Sequence, residues 1–192
     1  TGGMYRALAL VCLKAGIDLN NEDKVLEVLQ KSAIELKVNK HGTRVFLNGE
    51  EVSDEIFLPK VSSATPIIAA LAGVRKEMVK RQKRMIEKGD RAVIDGRDIS
   101  TDVVPNADLK IFLTADLKTR AQRRYRQLIK RGVKTTFDEV LLETKERDKM
   151  DTERKASPLV VSKGAYVLDT TNLTIGQTID RVMEKLKEEG IL

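Results

Sequence analysis

The residues best suited to chemistry lie in the sequence RAVIDGRD at positions 91–98. An apolar run ends there in Asp95, and Gly96 separates that carboxylate from Arg97 and Asp98. A carboxylate beyond the end of a buried strand can hold Mg²⁺ beside a phosphate chain. An arginine can grip phosphate with its fork of N–H donors, and a second carboxylate can accept from an amino group or orient that arginine. Taken alone, the stretch fits a surface turn with a local ion pair equally well.

The elements that position these residues are predicted to alternate between strands and helices. Residues 91–95 are expected to form a central parallel strand after a turn at 88–90, because Ala-Val-Ile suits burial on both faces. Two more buried strands are predicted at residues 109–113 and 166–169. The alternation predicts an α/β fold, in which helices cover a parallel sheet.

The hydrophobic periodicity and capping residues predict six helices and one antiparallel insert. The helices are expected at residues 7–15 (with Tyr5 and Arg6 in its first turn), from Asn20 or Asn21 to about 31, and at 74–88, 119–131, 136–150 and about 174–189. The insert begins near Ile34, where the pattern changes to alternation, and it turns at 39–42 and at Asn48-Gly49.

Length and composition limit the class of protein. A chain of 192 residues with 41% hydrophobic content predicts one packed domain. There is no run of 18 apolar residues, and Cys12 and His41 are the only cysteine and histidine. We therefore expect an intracellular, cytoplasmic protein with a packed Cys12, a solvated His41 and no zinc site.

The net charge of +6 indicates an anionic ligand. Much of the positive charge is concentrated in one segment, between Arg120 and Lys134, which favours a local anion site such as a nucleotide site. The aromatic content of 4% is low for a protein that stacks single-stranded nucleic acid. A basic RNA-binding module remains an alternative.

Further candidate ligands are spread along the chain. Thr1, Tyr5 and Arg6 lie at the amino end of a helix, where backbone donors favour phosphate, and Arg75 opens the basic helix. A set of charged residues spaced by four and three positions shares a face if its helix continues; these are Arg147, Asp151 and Arg154. Purely structural roles fit the same patterns: Tyr5 as a partly buried helix aromatic, and the charged set as a ladder of surface salt bridges.

The sequence resembles the bacterial cytidylate kinases over essentially its whole length. The resemblance is carried by TGGMYR at 1–6, FLNGE and EVSD at 46–54, IDGRD at 94–98, LKIFL at 109–113 and KERD at 145–148 through Arg154. It implies a P-loop-type parallel sheet covered by helices, with a small antiparallel β insert in the lobe that binds the nucleoside monophosphate (NMP) and a helical lid. It also implies ATP-dependent phosphorylation of CMP and dCMP with Mg²⁺, no specific nucleic acid, no membrane and a monomer.

The resemblance also implies roles for individual residues. Arg75, Arg97 and Asp98 match residues that bind CMP, and Thr1, Tyr5 and Arg6 match positions at the nucleoside monophosphate. Arg147, Asp151 and Arg154 match the lid face that meets CMP and the transferring phosphoryl group, and Arg123 matches a lid arginine on the ATP phosphates. The catalytic set is therefore expected to be Arg123, Arg147, Arg154 and Asp95, with Asp95 as the metal ligand. The expected division of the single domain is a core of 1–33, 67–119 and 159–192, an NMP-binding insert of 34–66 and a lid of 120–158.

Two departures from the family pattern affect the expected function. Pro66 lies near the position of a family serine that contacts the base, so Ser62, Ser63 or Thr65 are the candidates to replace it. No Gly-x-x-x-x-Gly-Lys motif occurs in the 192 residues, so either further residues precede Thr1 or the chain is truncated. These residues alone are expected to bind ATP poorly and to lack kinase activity. An inactive fragment of the family and another nucleoside-monophosphate kinase are therefore the alternatives.

Overall fold

The computed structural model describes residues 1–40, 42–87 and 91–192. The turn predicted at 88–90 and the solvated His41 lie outside the described residues. The regular elements in chain order are α1 (Gly2–Lys14), α2 (Glu22–Lys31), β1 (Ile34–Asn39), β2 (Gly42–Leu47), β3 (Glu50–Glu51), α3 (Pro59–Ala70), α4 (Ala72–Ile86), β4 (Ile111–Thr114), α5 (Leu117–Lys130), α6 (Phe137–Glu153), β5 (Tyr166–Asp169) and α7 (Ile175–Glu188). A 3₁₀ turn spans Glu55–Phe57, and a π-helical turn spans Ile99–Val103.

The chain forms two compact units, which are described separately. The first unit contains residues 1–103 and 154–158, and the second contains residues 104–153 and 159–192. The core, insert and lid boundaries expected from the family resemblance stay a prediction.

Helix α1 forms the centre of the first unit. Its residues from Met4 to Leu10 are all buried, as is Cys12, so the helix is enclosed on nearly every side. It packs against α2, α3 and the first two strands. Because α1 also carries Tyr5 and Arg6, these two polar side chains are held inside the apolar core of the unit.

The antiparallel insert is confirmed. Strand β2 pairs with β1 and with β3, and Ile34 lies opposite Leu47. The turn after β2 uses Asn48 and Gly49, both at positive φ (52° and 87°), which is the backbone region that favours these two residue types. The Asn48 side chain also accepts a hydrogen bond of 2.8 Å from the Ala33 amide, which fixes the register of the sheet.

The second unit contains the parallel pairing that the sequence predicts. Strands β4 and β5 run parallel, with Ile111 opposite Tyr166. Helices α5, α6 and α7 belong to the same unit. Helix α7 begins with a capping box in which Thr174 and Gln177 each satisfy a backbone donor of the other.

The strand predicted at residues 91–95 is wrong. This segment is irregular, and the side chain of Val93 in its middle is fully exposed. A parallel strand needs a hydrogen-bonded neighbour, and the only parallel sheet in the described part of the chain consists of β4 and β5. Asp95 therefore follows a loop in this structure, not a strand.

Candidate functional site

A buried ion pair lies at the centre of the candidate site in the first unit. Arg75, in the first turn of α4, donates from Nη2 to Asp98 Oδ2, and the two residues are only 3% and 5% exposed. Nη1 of Arg75 donates to the carbonyl oxygen of Ala69 at 2.8 Å. Because a buried charge is costly unless it is paired and hydrogen-bonded, these contacts fix the Arg75 guanidinium and the Asp98 carboxylate in one arrangement.

The loop that carries Asp98 is itself anchored. The Asp98 carbonyl accepts hydrogen bonds from the Asp102 amide at 2.9 Å and from the Thr101 hydroxyl at 3.2 Å. The π-helical turn that follows packs against α4, the helix that bears Arg75. Hydrogen bonds to both the side chain and the backbone carbonyl of Asp98 therefore position its carboxylate.

Tyr5 covers this pair. The centre of its ring lies 5.6 Å from Cζ of Arg75, within the range of a cation–π contact. Its hydroxyl oxygen is buried and has no hydrogen-bond partner among the described residues. Burial raises the pKa of the Tyr5 phenol to about 12, although the nearby positive charges of Arg75 and Arg154 oppose the rise. Tyr5 is therefore neutral near pH 7, and its hydroxyl can donate to a ligand.

Arg6 is the second buried cation of the unit. It is 8% exposed, and its Nη1 donates to the Ile56 carbonyl at 2.9 Å and to the Ser62 hydroxyl at 2.8 Å. The Phe57 ring centre lies 5.2 Å from Cζ. These partners come from the 3₁₀ turn and the start of α3, so residues 56–62 hold the guanidinium in place.

The side chain of Thr1 lies close to the backbone at residues 95 and 96. The Thr1 hydroxyl donates to the Asp95 carbonyl at 2.7 Å. A Cβ atom at Gly96 would lie 2.5 Å from this hydroxyl oxygen and 2.7 Å from Cγ1 of Ile99. Only glycine fits there without a shift of its neighbours.

The Asp95 side chain is fully exposed, so it is accessible to a cation. Among the described residues, no group of three or more acidic, histidine or cysteine side chains could hold a metal ion. The carboxylate of Asp95 is an oxygen donor of the kind that hard divalent cations accept, with phosphate and water as further ligands.

Two further predicted ligands belong to the first unit. Arg97 is exposed, in contrast to its neighbour Asp98. Arg154 is half-buried, and its Nε donates to the Ser157 carbonyl at 2.6 Å. Arg154 lies near enough to Tyr5 to lower the pKa of the phenol.

The other three predicted residues belong to the second unit. Arg123 donates from Nη1 to the Thr170 hydroxyl at 2.8 Å, and from Nη2 to the carbonyls of Thr170 at 2.6 Å and Leu173 at 3.3 Å. Arg123 therefore links α5 to residues 170–173, which follow β5. Arg147 and Asp151 are four residues apart on α6, half-buried and buried respectively. The helix continues past residue 150, as their predicted shared face requires, and ends just before Arg154.

The structure thus brings eight of the eleven predicted site residues into one unit. These are Thr1, Tyr5, Arg6, Arg75, Asp95, Arg97, Asp98 and Arg154. Ile56 and Phe57 were not anticipated as partners of Arg6, and Thr170 was not anticipated as a partner of Arg123. A carbonyl partner leaves no mark in the sequence.

No helix among the described residues is long and apolar enough to cross a membrane.

Comparison with known proteins identifies the family. The family model "Cytidylate kinase" matches residues 1–188. A cytidylate kinase of Caldanaerobacter subterraneus subsp. tengcongensis is 44% identical over 188 residues, covering 98% of this chain and 82% of that protein. A cytidylate kinase of Bacillus subtilis is 42% identical over 190 residues, covering 99% and 84%, and one of Bacillus licheniformis is 42% identical over 185 residues, covering 96% and 81%. The chain therefore belongs to the cytidylate kinase family.

Proposed function

We propose that this protein transfers the γ-phosphoryl group of ATP to the phosphate of CMP and dCMP. The observation that carries the proposal is the buried Arg75–Asp98 pair beneath Tyr5, in a chain whose family model matches residues 1–188. The pair supplies a fixed donor fork and a fixed carboxylate at the positions expected to bind CMP.

The Arg75–Asp98 pair explains a preference for cytosine. Cytosine carries an amino donor at N4, whereas uracil has an acceptor oxygen at the same position. Asp98 accepts from the amino group, and Arg75 donates to the ring acceptors. Arg75 is held by the Ala69 carbonyl and by Asp98, so the carboxylate is not free to turn away. The O4 acceptor of a uracil would therefore face a carboxylate oxygen with no proton between them, which a buried site rejects strongly.

In this proposal, arginines of the first unit bind the acceptor phosphate. Arg6, Arg97 and Arg154 are the proposed ligands of the CMP phosphate, and Asp151 faces the cytosine and ribose. Phosphoryl transfer relies on position and charge more than on covalent chemistry. Fixed guanidinium groups therefore suit the reaction, and no nucleophile is required.

Negative charge spreads over the transferring phosphoryl group as its bond to ADP breaks. Arg147 and Arg123 are proposed to offset that charge, and a closed lid keeps water from accepting the phosphoryl group. The role of Arg123 has the least structural support, because both of its Nη atoms already donate to the segment after β5.

Asp95 is the proposed ligand of Mg²⁺. When bound, the ion neutralises charge on the ATP phosphates. The exposed carboxylate of Asp95 supports this assignment. We also infer a monomer in the cytoplasm; a free, buried Cys12 is compatible with a reducing compartment.

An assay of ATP consumption with CMP, dCMP, UMP and AMP as acceptors tests the function in the natural protein. CMP and dCMP are expected to be the preferred acceptors. Arg97→Ala should reduce activity far more than Arg84→Ala, a change at a basic position of α4. Equal losses in the two variants, or equal rates with AMP, would contradict the proposal. No observation on the described residues favours an RNA-binding module or an inactive family member.

A further inference from the structure

Helix α3 carries three hydroxyl side chains, and they have different partners. Ser63 donates to the Pro59 carbonyl at 3.2 Å, and Thr65 donates to the Val61 carbonyl at 2.6 Å. Both bonds stay within the helix and reach back four residues. The hydroxyl of Ser62 instead accepts from Arg6 at 2.8 Å. Among these three hydroxyls, Ser62 alone links α3 to a cation on another helix.

Arg6 depends on this link for its orientation. One N–H of Nη1 donates to the Ile56 carbonyl and the other to Ser62. Two acceptors at one nitrogen fix the plane of the guanidinium, and the ring of Phe57 packs against it at 5.2 Å. The residue is 8% exposed, so water has little access to replace a lost acceptor.

We propose that Ser62 is a positioning residue for Arg6: it holds the guanidinium in the plane that meets the phosphate of the acceptor nucleotide. The inference rests on the proposed function, in which Arg6 binds that phosphate. Recognition of phosphate by an arginine fork depends on its orientation, and small errors in position reduce both binding and rate. Ser62 therefore acts through Arg6 and does not contact the base, although it lies one turn before Pro66, near which the family has its base-contacting serine.

The test compares a ligand that has the phosphate with one that lacks it. Dissociation constants for CMP and for cytidine are measured by calorimetry on the natural protein and on Ser62→Ala. Loss of a hydrogen bond to a charged group is expected to weaken CMP binding roughly 5- to 20-fold. Cytidine binding should stay within about twofold, because cytidine has no phosphate for Arg6 to hold.

Two variants control for effects on the helix itself. Ser63→Ala removes a hydroxyl that bonds only within α3, and it should leave both dissociation constants unchanged. Ser62→Thr keeps a hydroxyl at the same position and should restore most of the CMP affinity. Circular dichroism and thermal unfolding establish that each variant is folded. If Ser62→Ala does not fold, Ser62→Cys provides the measurement, because its thiol is a weak acceptor in a side chain of similar shape.

Several results would overturn the inference. Unchanged CMP affinity in folded Ser62→Ala would show that Arg6 does not need this partner. Equal losses for CMP and cytidine would place the effect at the base or in the helix. Loss of CMP binding in folded Ser62→Thr would exclude the hydroxyl as the cause. If the wild-type protein binds cytidine and CMP with equal affinity, or binds neither, the proposed function and this inference are refuted together.

Discussion

Among the described residues, buried arginines occur only in the first unit. In the first unit, Arg75 and Arg6 are 3% and 8% exposed, and their partners are a carboxylate, a hydroxyl, carbonyls and aromatic rings. In the second unit, the Arg120 side chain is 39% exposed and pairs with Asp148 at 2.7 Å. Arg123, in the same unit, is half-buried.

The difference shows that burial, more than the number of contacts, decides what a substitution does. A buried partner that is removed leaves a charge in a poorly solvated environment, whereas an exposed partner is replaced by water. Arg6 and Arg75 are therefore expected to be held rigidly, and the loss of one of their contacts is expected to lower the free energy of unfolding strongly.

The largest effect is expected for Asp98→Ala. It leaves the Arg75 cation buried without its carboxylate, and we expect the free energy of unfolding to fall by about 3–5 kcal/mol. Urea unfolding measures the change. The double variant Arg75→Met/Asp98→Leu should lose less free energy of unfolding than the sum of the losses in Arg75→Met and Asp98→Leu. A loss below about 1 kcal/mol in Asp98→Ala would place the pair among the exposed ones.

Tyr5 should make the stability of the protein depend on alkaline pH. Its pKa is about 12 in the folded state and 10.0 in the unfolded state, so the stabilisation is complete below pH 10 and is lost as the pH rises from 10 towards 12. A shift of this size corresponds to about 2–3 kcal/mol. Urea unfolding at several pH values compares the wild type with Tyr5→Phe, which should lose this part of the pH dependence. Identical slopes in the two proteins would contradict the buried, neutral phenol.

Arg123→Ala should have an intermediate effect. The variant removes three hydrogen bonds to Thr170 and Leu173, and we expect a loss of about 1–2 kcal/mol. Hydrogen exchange should increase at the amides of residues 170–173. Arg126→Ala, an exposed position on the same helix, should change neither quantity. Unchanged exchange at residues 170–173 would mean that Arg123 does not fasten this segment.

The smallest effect is expected for Arg120→Ala. Its pair with Asp148 is partly exposed on both sides, so we expect a loss of about 0–1 kcal/mol that shrinks at high salt. Unfolding in about 0.05 M and 1 M NaCl measures both effects. A loss as large as that of Asp98→Ala would remove the contrast between the two units.

Local features of the fold were predictable from the sequence. Asn21, one of the two predicted caps, caps α2, and α7 begins beside the predicted position 174, where Thr174 provides the cap. Such helix starts are predictable because a cap depends on only three or four neighbouring residues. The turn at Asn48-Gly49 follows from the same local logic. The strands at residues 111–114 and 166–169 were predicted from short apolar runs. Their predicted burial was wrong, because Leu113 is 59% and Val167 50% exposed.

Features that depend on distant residues were not predictable in the same way. The segment 91–95 has the composition of a buried strand but lacks a paired neighbour among the described residues. Arg6 meets Ile56 fifty positions away, and Arg123 meets Thr170 forty-seven positions away. The sequence indicated that these arginines matter, but only the fold shows which groups already occupy their donors.

The missing side chain at Gly96 limits how the specificity of this protein can be altered. A methyl group there would collide with the Thr1 hydroxyl and with the Ile99 side chain, so an alanine would require a shift of these side chains or of the loop that bears both Asp95 and Asp98. Such a change would disturb the proposed metal ligand and the proposed base contact at once. Libraries that aim at a new acceptor nucleotide should therefore vary the residues around this glycine and leave position 96 untouched.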